Sequence, residues 1–222
     1  MSRIVRFLTT TIGQKMLMGA TGLLLIGFLV THMAGNLLVF AGPEAYNEYS
    51  HKLVSNPLIY LAEAGLLALF VGHFVSGIRV VLRNRAARPT PYAVKEWARG
   101  TSHKSVASST MIFTGLLVLA FVPLHIRGFK FGTWYTAAND PQVRDLHRLV
   151  VEEFQDPLIV AWYVVAMIVI GFHLWHGFGS GFESLGVRHK QGLRRAGQLL
   201  ALAIAGGFVL VPVVLFLRGG AL

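Results

Sequence analysis

Gly171-Phe172-His173-Leu174-Trp175-His176-Gly177 sits deep inside an apolar run, Pro157 to Phe182, that contains no Lys, Arg, Asp or Glu. At about 1.5 Å per residue such a run crosses a hydrocarbon core of roughly 30 Å as a helix. An imidazole in lipid is costly, so an intramembrane histidine faces a partner, an ion pathway or a metal. The rest of the chain must supply that partner.

Composition agrees with a membrane setting. Of 222 residues 54% are hydrophobic and 14% charged, where soluble domains carry about a quarter charged. There is no cysteine. That excludes disulfides, an iron–sulfur cluster held by this chain and covalent c-type haem. Five apolar segments are long enough to span: Met16–Phe40, Leu58–Leu82, Val106–Ile126, Pro157–Phe182 and Gly197–Leu217. The chain reads as an all-α integral membrane protein, residues 1–222 forming one transmembrane domain. The first segment is too long for a secretory signal, and no small-residue cleavage site follows it, so it reads as a retained helix.

The net charge of +10 follows from topology. The N-terminus, Arg79 with the 83–105 loop, and the 184–195 loop hold 14 of the 20 Lys and Arg. The other side carries Lys52, Arg127, Lys130, Arg144, Arg148 and Arg218 together with most of the acids. Positive charge gathers inside, so the N-terminus is expected in the cytoplasm and the C-terminus outside. Nucleic-acid binding is not implied. No internal repeat stands out.

Four of the nine histidines fall at two depths. His32 lies about 17 residues along the outward-running first helix, and His125 closes the outward-running third, both near the outer face. His73 and His173 each lie 16 residues beyond the prolines, Pro57 and Pro157, that open the inward-running second and fourth helices. Two imidazoles from facing helices at one level are what bis-histidine haem iron needs. The expected ligand pairs are therefore His32 with His125, and His73 with His173. Gly35, Gly72, Ser76, Gly77, Gly171 and Gly177 leave room for a macrocycle. Arg79 inside, and Arg127, Lys130 and Arg148 outside, suit propionates. Zinc is disfavoured by two-His sites without Cys or a carboxylate at their depth.

These residues, taken in order, resemble a known family: the single-chain, five-helix, di-haem cytochrome b anchors of menaquinone-type succinate dehydrogenases and fumarate reductases. The resemblance covers essentially the whole chain. It rests on Thr31-His32 with Asn36, the Glu44-Ala45-Tyr46-Asn47 loop, Glu63 ahead of His73-Phe74-Val75-Ser76-Gly77, and His125. It continues through Phe172-His173, His176-Gly177, Ser180-Gly181-Phe182 and Ser184-Leu185-Gly186. It implies a four-helix bundle around two non-covalent b haems, with a fifth helix alongside, in a bacterial inner membrane. It also implies a flavoprotein (FAD) subunit and an iron–sulfur subunit on the cytoplasmic face, docking on the basic inner loops. Electrons would pass through the chain to menaquinone. His176, three residues after His173, shares its helix face; family position and depth favour His173 as the ligand. His176 and Asn36 then become propionate or neighbouring contacts. Glu63, the only carboxylate within a span, is expected either to be a buried proton acceptor in an outer quinone site or to bond a neighbouring helix or interfacial water. His147, Trp134 and Tyr135 of the outer loop are further candidates for that site, the two aromatics otherwise serving as interfacial anchors. His103, with Trp97 and Arg79, is an inner alternative.

Two other readings compete. One is a cytochrome b of a hydrogenase or formate dehydrogenase. The other is a haem-free transporter or structural anchor whose histidines relay protons.

Overall fold

Thr10 and Asp156 show how the long helices of this computed structural model begin. The Thr10 hydroxyl accepts the Gly13 N–H, and the Asp156 carboxylate accepts the N–H groups of Leu158 and Ile159. Each cap satisfies donors that the first helical turn leaves unpaired. Pro157 follows Asp156 at the first position, where its missing N–H costs nothing. The structure describes residues 2–87, 106–187 and 191–219.

A short helix, α1 (Arg3–Leu8), leads into α2 (Thr11–Leu37), which tightens into a 3-10 turn at Leu38–Ala41. Then come α3 (Pro43–Val54), α4 (Ile59–Ala86) and α5 (Val106–His125). α5 ends two residues beyond Pro123, and a π-helical turn, Ile126–Lys130, continues it. A small antiparallel hairpin, β1 (Thr136–Ala137) and β2 (Asp140–Arg144), precedes α6 (Leu146–Glu153), α7 (Pro157–Ser184) and α8 (Gln191–Leu217). Five of these helices, α2, α4, α5, α7 and α8, are long and apolar enough to cross a membrane.

The Glu44-Ala45-Tyr46-Asn47 segment is not a loop, as its polarity suggested. It lies in α3, because Gly42 at φ 99° turns the chain sharply and Pro43 restarts the helix.

α2 packs on α4 and α7; α5 packs on α7 and, more thinly, on α4. The four close a ring in which α2 and α5 occupy one diagonal and α4 and α7 the other. α8 lies outside, against α7 and α2. Lipid tails offer helices no hydrophobic drive to associate, so close packing through small residues does that work. Gly19 and Gly181 bring α2 and α7 together: a Cβ on Gly19 would stand 2.8 Å from the Gly181 carbonyl oxygen. Ile26, Phe121, Ala166, Met167, Ile170, Leu174, Ala201 and Ile204 form the buried core among α2, α5, α7 and α8.

α3, the hairpin and α6 build a cap over one end of the bundle. Asn47, 6% exposed, donates to Asp145 Oδ1 and accepts the His147 N–H, both at 2.8 Å. Arg144 donates to the carbonyls of Phe129, Lys130, Gly132 and Thr133, fixing the end of the π turn and the chain just beyond it.

Candidate histidine-pair site

The ring of helices carries its histidines on its diagonals. Nearer the amino end, His73 of α4 meets His173 of α7, ring centres 6.2 Å apart with planes inclined by 74°. At the capped end His32 of α2 meets His125 of α5 at 5.8 Å and 86°. The structure thus brings together both of the pairs expected from depth.

Neighbouring helices orient the rings. His73 Nδ1 lies 3.0 Å from the Met18 carbonyl and 3.4 Å from Thr21 Oγ1, both on α2. His173 Nδ1 lies 3.0 Å from Thr114 Oγ1 on α5. His125 Nδ1 lies 3.1 Å from the Tyr163 hydroxyl on α7, and its ring stacks on Phe121. For these three, no hydrogen-bond partner reaches Nε2 among the described residues. His32 differs: its Nε2 lies 3.4 Å from Asn36 Nδ2, whose shorter bond, at 2.8 Å, goes to the His32 carbonyl. Tyr46 in turn donates to Asn36 Oδ1.

This geometry can be tested against haem. Two metal–imidazole bonds of about 2 Å, with about 1.1 Å more from each nitrogen to its ring centre, separate coaxial ring centres by roughly 6 Å. Both observed separations match. A metal-bound imidazole uses one nitrogen and donates the other N–H to an oxygen, which fixes its tautomer. His73 has that arrangement with the Met18 carbonyl, and His173 and His125 each have a hydroxyl in the same place. The donor set, two imidazoles on a diagonal with no thiolate, suits haem iron. Among the described residues no group of three or more His, Cys, Asp or Glu gathers to hold a bare metal ion. The residues therefore fit the group.

The remaining candidates are dispersed. Glu63 is not the enclosed acid that its place in the span suggested. Its side chain is 41% exposed and forms an ion pair with Lys130, tying α4 to the π turn that follows His125. Hydropathy could not reveal this, because it is the π turn that brings Lys130 to Glu63. His147 is buried in the cap, its Nε2 3.1 Å from the Val39 carbonyl and its ring edge-on to Tyr46, a place that serves packing. Trp134 is exposed, with the Arg144 guanidinium over its ring. Tyr135 lies beneath the Arg148 guanidinium, which pairs with Glu152. Arg79 and Arg127 are exposed. His176 is partly buried one turn beyond His173 and does not join the His73–His173 ring contact. His103 and Trp97 lie outside the described residues, as does most of the basic stretch that ends at Lys104.

Sequence reasoning missed the residues that orient the rings: Thr21, Thr114, Tyr163 and the Met18 carbonyl. A signal was present, a Thr-Gly pair eleven residues ahead of His32 and again ahead of His125.

Comparison with known proteins adds a relative. Over 108 residues the chain is 31% identical to a succinate dehydrogenase hydrophobic membrane anchor subunit of Halobacterium salinarum, a match covering 49% of this chain and 75% of that protein. No family model matches the chain. No solved structure matches it.

Proposed function

This chain belongs to the succinate dehydrogenase hydrophobic membrane anchor subunits, and we propose that it also carries electrons between an iron–sulfur subunit and menaquinone. The observation that carries this reading is the pair of diagonal histidine contacts, at 6.2 Å and 5.8 Å. His73 and His173 would hold one b haem by Nε2, and His32 and His125 a second. Haem iron supplies reversible one-electron exchange, the chemistry needed between a two-electron quinol and a one-electron iron–sulfur relay.

The chain's own residues do the rest. Met18 and Thr114 hold the inner imidazoles in place, and Phe121, Phe129 and Tyr163 enclose His125 and exclude water. The amino end, with Arg79, Arg83 and Arg85, faces the cytoplasm and receives the flavoprotein and iron–sulfur subunits. The capped end faces outward. There Glu63, paired with Lys130, ties α4 to the turn that follows His125, beside which a quinol would bind at the membrane edge.

The test is a pyridine haemochrome assay on purified protein, wild type beside His73→Ala and His125→Ala, with copurifying flavin and iron–sulfur subunits scored in parallel. Two b haems in wild type and one, spectrally different, in each variant is the expected result. Haem without those subunits would point to another membrane oxidoreductase. A folded protein without haem would overturn electron transfer and leave the anchor.

A further inference from the structure

Two helices of the ring repeat one pattern. α2 reads Thr21-Gly22-Leu23-Leu24 and reaches His32; α5 reads Thr114-Gly115-Leu116-Leu117 and reaches His125. In each the histidine follows the threonine by eleven residues. That is about three turns and roughly 16 Å, so Thr and His share one face at two levels. Each Thr-Gly lies at the level of a histidine supplied by the neighbouring helix. Gly22 stands under the His73 ring, where a Cβ would come within 2.9 Å of Cε1; Gly115 stands under His173, where it would come within 3.5 Å. The helix that supplies a capped-end histidine therefore cradles an inner one.

Hydrogen bonding fixes what each threonine does. Thr114 has one hydroxyl proton, directed at its own helix, with Oγ1 3.0 Å from the Met111 carbonyl and 3.3 Å from that of Thr110. With that proton kept on its own helix, the hydroxyl accepts from His173 at 3.0 Å and Nδ1 carries the ring proton. A neutral imidazole has only one N–H, which leaves the lone pair on Nε2. His73 reaches the same state by a different route. The Met18 carbonyl can only accept, and it takes the His73 Nδ1–H at 3.0 Å. Thr21, its own proton given to the Leu17 carbonyl at 2.7 Å, stands further off at 3.4 Å.

We propose that Thr114 is a positioning residue: it accepts the Nδ1–H of His173, fixes the ring's tautomer and plane, and makes Nε2 a stronger donor to haem iron. Thr21, its counterpart in the repeat, is secondary, because a backbone carbonyl already holds His73. The proposal rests on the reading that the inner pair binds haem. An acceptor on the far nitrogen makes the ligand more basic and favours oxidised iron, so its loss raises the midpoint potential.

The experiment is a potentiometric titration of the haem that His73→Ala removes, followed optically and by low-temperature electron paramagnetic resonance. Wild type is compared with Thr114→Val, Thr114→Ser and Thr21→Val. Thr114→Val keeps the side chain's size and is expected to change the oxidised-to-reduced binding ratio about tenfold, an upward shift of about 59 mV for a one-electron couple. Thr114→Ser restores the wild-type value. Thr21→Val shifts the ratio less than threefold. If Thr114→Val fails to hold the haem, Thr114→Ala takes its place, and a shift in Ala that is absent in Ser supports the role. A wild-type potential and spectrum in every Thr114 variant overturns it while the haem reading stands. Equal shifts in Thr21→Val and Thr114→Val overturn it too. Wild-type protein without haem sinks both, and is seen before any variant is made.

Discussion

Asn47 offers a sharp test of the cap. Its amide is buried between α3 and α6, donating to Asp145 Oδ1 and accepting the His147 N–H, each at 2.8 Å. In Asn47→Ala the His147 N–H remains buried without an acceptor, a loss of about 1–3 kcal/mol. Asp145 is only partly buried and keeps the Arg148 N–H at 3.0 Å, so its share of the loss is nearer about 1 kcal/mol. Together the cost is about 2–4 kcal/mol, which for a chain of this size lowers Tm by about 10 °C. Asn47→Asp adds a sign. It sets a second carboxylate against Asp145, and two carboxylates at that distance do not both stay ionised. One is then held protonated, with a folded pKa above its unfolded value. The stability it allows is present at low pH and is lost as pH rises through that folded pKa. Thermal unfolding in detergent, followed by circular dichroism at pH 5 and pH 8, reads both effects. Asn47→Asp should lie closer to wild type at pH 5 than at pH 8. An Asn47→Ala protein melting within about 1 °C of wild type would refute the accounting, and an Asn47→Asp protein indifferent to pH would refute the placement of Asp145.

Arg144→Lys should destabilise the cap by about 1–3 kcal/mol, because an ammonium cannot reproduce the planar fork that serves four carbonyls; a lower Tm and faster proteolysis at 129–133 would register it. Burial first, and Tyr49 second, push the Tyr46 phenol up to about 12, above its ordinary value of 10. Its stabilisation is therefore complete below pH 10 and lost between pH 10 and about 12. The Tm difference between wild type and Tyr46→Phe should be flat below pH 10 and shrink above it. Gly22→Ala sets a Cβ 2.9 Å from His73 Cε1, and moving that ring costs about 1–3 kcal/mol against a helix gain of at most about 1 kcal/mol. Gly27→Ala meets nothing within 4 Å and should melt at or above wild type, so a Gly22→Ala protein as stable as Gly27→Ala would show that the ring is not held where it stands.

The spans were legible because charge is absent from them and because Asp156-Pro157 marks the start of α7. Pro57 does not open α4 as expected, since Asn56 accepts the Leu58 N–H in a turn and the helix begins at Ile59. α7 opens at Pro157, where the sequence set it. Helix ends beyond the membrane were not legible. α4 runs on to Ala86 because Arg83 and Arg85 are good helix formers in water, and hydropathy reads them as the end of a span. α3 and α6 escaped for a related reason. They are short and amphipathic, and their signals, Gly42-Pro43 and the Asp145 cap, are local ones that an apolar window averages away.

The histidine levels could be counted because rise per residue is constant along a helix, and counting from helix starts needs no knowledge of neighbours. What lies beside a ring at its own level cannot be counted. Thr21 and Thr114 look like ordinary membrane-helix threonines bonded to their own backbone until the adjacent helix is in place. With the rings present, the eleven-residue interval acquires a physical meaning. It is close to three whole turns, so a helix that turns one face inward offers a ligand at one level and an acceptor at the other. The two levels are then not independent. Rotating α5 to move His125 would also withdraw Thr114 from His173, and rotating α2 to move His32 would withdraw Met18 and Thr21 from His73. The close Gly19–Gly181 crossing resists such a rotation in α2. α5, which has only Phe121 fully buried among its described side chains, has no comparable lock and depends more on Arg144 and the cap beyond its end.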